Sequence, residues 1–340
     1  MKLGSIEDLY SIYCAHPSVV TDTRKLKSGD LYFALKGPNF NGNVFAIAAL
    51  ESGAAYAIVD EAIADSDSYQ DRIILVQDVL TTMQQLAKYH RQQFDIPFIA
   101  ITGSNGKTTT KELVYSVLAS HFKTYTTQGN LNNHIGVPLT LLSIPKNAAM
   151  AVIEMGANHQ KEIESYCAYT LPTFGMITNC GKAHLEGFGG VEGVKKGKGE
   201  LYDFLRANNG TVFIMEDYDY LQSMSQGMPH LIGYGQHSGQ IQGEAMDADG
   251  MLTYTKSLYA GSGGTETIDV NYNLPQDDST FFTLFENYID DYNDTTGKAL
   301  GTTRYEQWYH GSKDVYYYID DDMMNIDSET MFRSSVGDLM

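Results

Sequence analysis

The stretch that decides the fold is Phe98-Ile-Ala-Ile-Thr102-Gly-Ser-Asn-Gly106-Lys-Thr-Thr-Thr110. Residues 98–102 form an apolar, β-rich run that predicts a buried strand, and the glycine turn after it leads into a helix predicted over residues 107–120. Glycines let successive backbone N–H groups point at phosphate oxygens, while Lys107 adds a positive charge and Thr108 a hydroxyl for Mg²⁺. A glycine turn before a helix is common by itself, but GKTTT at this junction favours a phosphate-binding loop.

The elements predicted after this loop alternate along the chain. Strands are predicted at residues 151–155, 174–178 and 211–215, with helices between them and one helix over residues 191–205. Such alternation predicts an α/β protein with a parallel sheet covered by helices on both faces. Ligands of these sheets bind at the carboxyl ends of the strands, so residues that follow strands are the candidates for chemistry.

A smaller α/β unit precedes Pro97. We therefore predict an N-terminal domain over residues 1–95 and a central phosphate-binding domain over residues 96–246. The elements predicted in the smaller unit are strands at residues 31–35, 55–59 and 73–76, and helices at residues 45–52 and 79–93.

Residues 247–340 differ in composition from the rest. They hold 18 acidic and 5 basic side chains, which is −13 of the chain's formal −19. Weak strand patterns occur at residues 251–259, 267–274 and 315–319. The tyrosines and aspartates of residues 316–322 are compatible with a calcium or aromatic binding site, but acidic blocks are usually solvated. We predict an acidic, tyrosine-rich segment that is partly strand-like or disordered.

The charge and the cysteines limit the partners and the compartment. A formal charge of −19 argues against a nucleic-acid or anionic-membrane partner, because either surface would repel the protein. Cys14, Cys167 and Cys180 form no CxxC pair and are odd in number, which favours a reducing compartment. Glu7 and Asp8 lie where a signal peptide needs an apolar run, and no stretch reaches the ~18 apolar residues of a membrane span. We expect a cytoplasmic monomer.

Three polar residues follow the predicted strands of the central domain. Glu154 ends an apolar run, where a carboxylate is costly unless it is paired or bound to a metal such as Mg²⁺. A helix-capping or surface role is the alternative. His184 also follows a strand, although a lone histidine is more often structural. Lys198, taken by itself, is typical of a solvated helix lysine.

Several motifs together resemble one family, the Mur ligases that join D-alanyl-D-alanine to a UDP-linked muramoyl tripeptide (the MurF ligases). The resemblance covers about residues 1–246, and the motifs occur in the family's order. The GNLNN-x-IGVP and E-x-GANH stretches separate this family from other Mur ligases, so the match is specific. The motifs are Asp22-Thr-Arg24, Gly29-Asp-Leu-Tyr-Phe-Ala-Leu-Lys-Gly37, the loop at 102–110, Gly129-Asn-Leu-Asn-Asn-His-Ile-Gly-Val-Pro138, Glu154-Met-Gly-Ala-Asn-His159, Ala183-His-Leu-Glu-Gly-Phe188 and Lys198-Gly-Glu-Leu-Tyr202.

The resemblance implies a role for each matching residue. Lys107, Lys198 and His184 would be catalytic, and Lys198 aligns with a lysine that Mur ligases carbamylate into a carboxylate-like metal ligand. ATP phosphates would be bound by Gly103, Ser104, Asn105, Gly106, Lys107, Thr108 and Thr109. Mg²⁺ would be held by Thr108, Glu154, His184 and Lys198. The UDP-sugar substrate would contact Asp22, Thr23 and Arg24. The further substrate-binding residues Asn130, Asn132 and Asn133 match a loop near the nucleotide and the peptide.

The resemblance also implies a reaction. The γ-phosphoryl group of ATP would pass to the terminal carboxylate of UDP-N-acetylmuramoyl-tripeptide, and the amine of D-alanyl-D-alanine would then displace phosphate to form an amide. Catalysis of the first step is mostly charge neutralisation and positioning by Lys107 and the metal. The implied cofactors are ATP and Mg²⁺, and the implied partners are these two small-molecule substrates.

Beyond residue 246 the sequence departs from the family pattern. A GxHN-x-x-N-type adenine segment and the Y-N-A-N-P stretch of the family's third domain are absent from the sequence, and the acidic segment takes their place. One alternative is a truncated or catalytically inactive module that binds a nucleotide or UDP-sugar. Another is a different ligase of the superfamily, such as the folylpolyglutamate synthase type, against which Asp22-Thr-Arg24 and the GNLNN stretch argue.

Overall fold

The computed structural model describes residues 5–64, 67–182 and 184–248, with side chains as far as residue 241. It also describes five later strands, which are named below. The chain divides into two compact units. The first comprises Met1–Ile214 and Tyr218–Ile232, and the second comprises Met215–Asp217 and Gly233–Met340.

The first unit begins with a small parallel sheet. Its elements are α1 (Ile6–Ala15), β1 (Val19–Val20), β2 (Leu31–Phe33), β3 (Lys36–Gly37), β4 (Phe40–Asn41), α2 (Ala46–Glu51), β5 (Tyr56–Val59), β6 (Ile73–Leu75) and α3 (Val79–Arg91). The sheet has the order β1-β2-β5-β6 and is parallel throughout, while β3 and β4 form a separate antiparallel pair. All three residues of β2 are buried, so this strand lies in the core.

The first unit continues with a second, larger parallel sheet. Its elements are β7 (Phe98–Thr102), α4 (Lys107–Ala119), β8 (Thr124–Thr126), α5 (Gly136–Leu142), β9 (Met150–Glu154), α6 (Glu162–Thr170), β10 (Phe174–Ile177), α7 (Leu185–Phe188), α8 (Val191–Ala207), β11 (Thr211–Met215) and α9 (Asp219–Met224). The strand order is β8-β9-β7-β10-β11. The pairs β8–β9, β9–β7, β7–β10 and β10–β11 are all parallel.

The direction of the chain through this sheet reverses around β7. The crossover from β7 to β8 runs toward one edge, whereas the crossovers from β9 to β10 and from β10 to β11 run toward the other edge. Because such crossovers are right-handed, α4 lies on one face of the sheet, and α6 and α8 lie on the opposite face. A crevice opens at the carboxyl ends of the strands where the direction reverses, which is the common ligand position in these sheets. The fold therefore places the loop after β7 in that crevice.

Helix α3 joins the two sheets of the first unit through backbone carbonyls at helix ends. His90 Nε2 lies 2.8 Å from the carbonyl oxygen of Ile144, so this nitrogen carries a proton. Arg91 Nε donates to the carbonyl oxygen of Thr170 at 2.9 Å, and its guanidinium carbon lies 3.7 Å from the ring centroid of Phe98. Because Phe98 begins β7, this arginine fixes the strand that leads to the glycine loop.

The second unit contains mostly antiparallel strands. Its strands are the end of β12 (His230–Gly235), β13 (Ile241–Ala248), β14 (Met251–Ala260), β15 (Gly264–Ile268), β16 (Asn273–Pro275), β17 (Gln307–His310) and β18 (Asp314–Tyr317). Strand β14 pairs with β13, β15 and β16, and β17 pairs with β18, all of them antiparallel. Tyr234 and Gly235 of β12 pair in parallel with the start of β13.

The predicted α/β class is confirmed, and the predicted elements before residue 216 end within two residues of the observed ones. Strands Gly264–Ile268 and Asn273–Pro275 overlap the two ends of the strand predicted at residues 267–274, and residues 269–272 lie outside the described residues. Residues 318–322, part of the predicted last strand and of the tyrosine and aspartate run, lie outside the described residues, as does any disorder predicted for the tail. The domain boundaries at residues 95 and 246 stay predictions.

Replacement of Arg91 tests the junction between the two sheets. We expect Arg91→Ala to lower the free energy of unfolding by about 2–4 kcal/mol, because it removes charged hydrogen bonds to buried carbonyls. Urea denaturation measures this change. The control is Arg24→Ala, whose side chain is 88% exposed and forms an ion pair with Asp22 at the surface, so that we expect a loss below about 1 kcal/mol. Equal losses in the two variants would contradict the assigned role of Arg91.

Candidate active site

The loop between β7 and α4 has the backbone geometry of a phosphate cradle. Gly103 has φ +149° and Gly106 has φ +76°, both in the region that favours glycine. Gly106 caps the N-terminus of α4 and, as a glycine, has no side chain to make a capping hydrogen bond. The first N–H groups of α4 therefore remain available to an anion, which the helix dipole also favours.

Residues that follow β10 hold this loop in place. The backbone N–H of Ser104 donates to the carbonyl oxygen of Asn179 at 2.9 Å, and that of Asn105 donates to Asn179 Oδ1 at 3.1 Å. Thr178 Oγ1 donates to the carbonyl oxygen of Asn105 at 2.6 Å. A Cβ at Gly103 would lie 1.9 Å from Thr178 Oγ1, so the approach of the two segments requires glycine.

Glu154 ends β9, the strand beside β7, and it is 1% exposed. Its Oε1 accepts a hydrogen bond from Asn132 Nδ2 at 2.7 Å. Its Oε2 is buried and has no hydrogen-bond partner among the residues that the structure describes. A buried carboxylate oxygen without a donor is costly, and an oxygen-seeking cation would offset that cost. This orphaned oxygen is the observation at the site that fits a magnesium ion.

Lys107 and Lys198 bring positive charge close to Glu154. Burial lowers the pKa of Lys107, and the negative charge of Glu154 opposes that decrease. Lys107 Nζ donates to the carbonyl oxygen of Ser104 at 3.1 Å, within its own loop. Burial, followed by the positive charge of Lys107, lowers the pKa of Lys198 to about 8. These mutual effects indicate that Lys107 lies within electrostatic reach of both Glu154 and Lys198.

Lys198 lies inside the protein, in contrast to the solvated lysine that its sequence context suggests. It is 2% exposed, on α8, and its Nζ donates to the carbonyl oxygen of Ala157 at 3.1 Å. The ammonium lies 5.2 Å from the ring centroid of Phe188. With a pKa near 8, about a tenth of this amine is neutral at pH 7, which is far more than for an ordinary lysine, and the neutral form is the nucleophilic one.

His184 lies in an exposed position with φ +54°. It lines a polar cleft of about 410 Å³ together with Asn158, His159, Lys182, Glu186 and Gly187. A Cβ at Gly187 would lie 2.3 Å from the carbonyl oxygen of Asn158, so this wall of the cleft also depends on glycine. The cleft carries donors and both signs of charge, which suits a polar ligand.

The residues predicted to hold the UDP-sugar make local contacts. Arg24 Nε and Nη2 donate to the two carboxylate oxygens of Asp22 at 2.9 and 2.7 Å. These hydrogen bonds lower the pKa of Asp22 to about 2. Asn133 Oδ1 accepts from the backbone N–H of Gly136 at 2.9 Å and so caps α5, whereas Asn130 is exposed. Thr23 begins a 3₁₀ turn behind Asp22.

The described contacts unite part of the predicted site. They join the glycine loop, Lys107, Glu154, Asn132 and Lys198 at the carboxyl ends of β7 and β9. Thr108 and Thr109 are exposed in the first turn of α4. Within the described residues, no group of three or more His, Cys, Asp or Glu side chains is arranged as a metal site. The metal roles implied for His184 and Lys198 therefore stay predictions.

Sequence reasoning missed four residues that support the site: Thr178, Asn179, Thr127 and Lys111. Thr178 and Asn179 directly follow β10, so the rule that ligand-side residues follow parallel strands would have found them. Thr127 follows β8 in the same way. Lys111 carries no such signal, because its position on α4 resembles that of any helix lysine.

Among the described helices, none is both long and apolar enough to cross a bilayer.

The fold and the loop define the class as an α/β protein with a phosphate-binding loop at the switch point of a parallel sheet. The chain matches the Mur ligase middle domain over residues 101–289, and the catalytic domain of the Mur ligase family over residues 18–91. The chain belongs to the Mur ligase family.

The relatives that the chain resembles include MurF ligases. The chain is 37% identical over 233 residues to the UDP-N-acetylmuramoyl-tripeptide--D-alanyl-D-alanine ligase of Bacillus subtilis. The aligned residues make up 68% of this chain and 50% of that protein. The MurF structure from Acinetobacter baumannii has a TM-score of 0.68 and 27% identity, covering 94% of this chain and 70% of that one. MurF ligase from Thermotoga maritima in complex with ADP has a TM-score of 0.65 and 26% identity, covering 83% and 63%. The chain thus spans about half the length of the Bacillus relative.

Replacement of Gly103 tests the contact between the loop and the end of β10. We expect Gly103→Ala to lower the free energy of unfolding by about 1–3 kcal/mol, because the added Cβ meets Thr178 and the backbone conformation is strained. Thermal unfolding provides the measurement. In the control, Gly37→Ala, the new Cβ meets nothing within 4 Å and φ is ordinary, so stability stays the same or rises slightly. A harmless Gly103→Ala would rule out the close approach.

The low pKa of Lys198 predicts a pH dependence of stability. Its pKa lies near 8 in the folded chain against an ordinary value of 10.5, so the unfolded chain binds more protons between these values. The free energy of unfolding should therefore rise with pH across this window, by at most on the order of 3 kcal/mol from this group. Urea denaturation of the unaltered protein and of Lys198→Met, between about pH 7.5 and about pH 9.5, isolates the contribution. Parallel pH curves for the two proteins would contradict the burial of a titrating amine.

Proposed function

We propose that this protein binds ATP with Mg²⁺ and acts as an amide ligase that adds D-alanyl-D-alanine to UDP-N-acetylmuramoyl-tripeptide. The observation that carries the proposal is the pairing of a glycine-cradled helix N-terminus with the buried, unbonded Oε2 of Glu154. An exposed anion site beside a buried carboxylate suits a phosphate chain that shares a divalent cation with the protein. Family membership and the MurF relatives support the choice of substrates.

The chain's own residues would act mainly on charge and position. The N–H groups in the first turn of α4 bind phosphate oxygens, and Lys107 neutralises charge that builds up during phosphoryl transfer. The Lys107 ammonium has three donor hydrogens, so it can bind a phosphate oxygen in addition to the carbonyl oxygen of Ser104. Asn132 holds Oε1 of Glu154 and leaves Oε2 to face the cation.

A magnesium ion would be held by Glu154 and Thr108, with His184 and a carbamylated Lys198 as the further ligands that the family resemblance implies. When bound, Mg²⁺ supplies positive charge to the phosphate oxygens. For Lys198, carbamylation joins its neutral amine to CO₂ and releases one proton, and the lowered pKa favours the neutral amine that this step needs. Burial beside Phe188 then keeps bulk water from the modified side chain.

The proposed reaction has two steps. The γ-phosphoryl group passes from ATP to the tripeptide carboxylate, which releases ADP, and the amine of the dipeptide then attacks the acyl carbon and expels phosphate. The polar cleft beside His184 offers donors for a carboxylate or amide of these substrates. Asp22, Thr23 and Arg24, with Asn130 and Asn133, remain the proposed contacts of the UDP-sugar peptide.

Omission of each substrate in turn tests the proposed function. We expect phosphate release that requires ATP, Mg²⁺, UDP-N-acetylmuramoyl-tripeptide and D-alanyl-D-alanine together. The acyl phosphate forms from ATP and the tripeptide carboxylate, and its phosphate leaves only when the amine of the dipeptide displaces it. Lys107→Ala should lower the rate by at least about 100-fold, since it removes charge stabilisation in the transition state. The control is Lys123→Ala, an exposed lysine before β8, which should leave the rate unchanged.

Two results would reject the proposal in part. Phosphate release that does not depend on D-alanyl-D-alanine would remove the ligase assignment. Binding of ADP with Mg²⁺ and no turnover with any combination of substrates would leave a nucleotide-binding module, which is the function that a catalytically inactive chain would have.

A further inference from the structure

Lys111 is a fully buried lysine that neither the phosphate loop nor the proposed metal ligands account for. It is 0% exposed and lies on α4, one turn beyond Lys107, so the two lysines share a helix face. Its Nζ donates to the carbonyl oxygen of Thr127 at 2.8 Å and pairs with Glu112 Oε1 at 2.5 Å. A lysine rarely enters the interior without such partners, so its position calls for a reason.

Thr127 directly follows β8, where the regular backbone hydrogen bonds between β8 and β9 end. Thr126 pairs with Val152, and the N–H of Thr127 donates to the carbonyl oxygen of Val152 at 3.1 Å. In a continuing parallel ladder, the next bond would run from the N–H of Glu154 to the carbonyl oxygen of Thr127. Instead, the N–H of Glu154 donates to Thr127 Oγ1 at 3.0 Å. Lys111 binds the carbonyl oxygen that the ladder would have used.

The Thr127 hydroxyl, which replaces the backbone acceptor, helps to fix the position of Glu154. Its backbone is held by a side-chain hydroxyl, and its Oε1 is held by Asn132, so the residue is fixed at two points. Lys111 binds the carbonyl oxygen of Thr127, which makes that oxygen a weaker competitor of the Thr127 hydroxyl for the N–H of Glu154. The remaining Oε2 is buried and has no hydrogen-bond partner among the described residues.

We propose that Lys111 and Thr127 are positioning residues for the Glu154 carboxylate. They touch neither the nucleotide nor the metal ion, and they set the backbone of Glu154 so that Oε2 is free to bind the cation. The inference rests on the proposed function, because it assigns a ligand to Oε2. Groups that orient a metal ligand affect metal affinity by about 10- to 100-fold in well-studied sites.

The test compares metal-dependent with metal-free nucleotide binding by the full chain. Titration calorimetry measures the affinity for ADP with Mg²⁺ and again with the metal chelated. We expect Thr127→Val and Lys111→Met to reduce the gain in ADP affinity that Mg²⁺ provides by about tenfold, while metal-free affinity changes by less than about twofold. Thr127→Ser retains the hydroxyl acceptor and should behave like the unaltered chain.

A double variant separates positioning from general structure. In a Glu154→Ala background, Thr127→Val should cause no further loss of the Mg²⁺ effect, because two residues acting through one contact are not additive. Thermal unfolding shows whether Lys111→Met folds, and Thr127→Val with its serine control carries the test if it does not.

The outcomes distinguish failure of the proposed function from failure of the positioning role. If the unaltered chain does not bind ADP, the proposed function fails, and the positioning role fails with it. If the unaltered chain binds ADP more tightly with Mg²⁺ but folded Thr127→Val does so equally, only the positioning role is overturned. Equal losses of metal-dependent and metal-free affinity would also overturn it, since they would mean that the residues merely support the loop.

Discussion

The burial of one carboxylate, that of Glu154, is the constraint on which the rest of the site depends. A charge that is 1% exposed requires compensation, and the protein supplies it with the Asn132 amide at Oε1 and the positive charge of Lys107. The Thr127 hydroxyl accepts a hydrogen bond from the backbone N–H of the same residue. Each of these groups comes from a segment that follows a strand or begins a helix. The convergence of separate segments on one carboxylate accounts for much of the local architecture.

The glycine loop and the end of β10 satisfy a second constraint, which is steric. Gly103 approaches Thr178 so closely that no side chain fits between them. In return, Asn179 binds the N–H groups of Ser104 and Asn105 and fixes the loop before any ligand arrives. A cradle that is already ordered loses little conformational entropy on binding, which favours affinity for phosphate. The loop therefore depends on its neighbouring strand as much as on its own glycines.

The sequence predicted the elements of both sheets well because their signals are local. The apolar run of β7 and the glycine turn after it specify strand, loop and helix without reference to other segments. Helix α5 escaped prediction because Pro138 lies in its sequence, yet a proline in the first turn of a helix is tolerated. Strand β8 escaped because its three residues are too few for a periodic pattern. Candidate residues such as Glu154 and Lys107 were found because they lie beside these local signals.

By itself, the sequence determined the α/β class, the phosphate loop and the motifs of the Mur ligase family, because each depends on neighbouring residues in the chain. Only the tertiary structure decided which groups meet. Strand order placed β9 and β10 on either side of β7. Thr178 thereby reaches the glycine loop, and Asn132 and Thr127 reach Glu154, from distant positions in the chain. Burial likewise separated Lys198 and Lys111 from ordinary helix lysines, because desolvation is a property of the packed surroundings and not of the residue type.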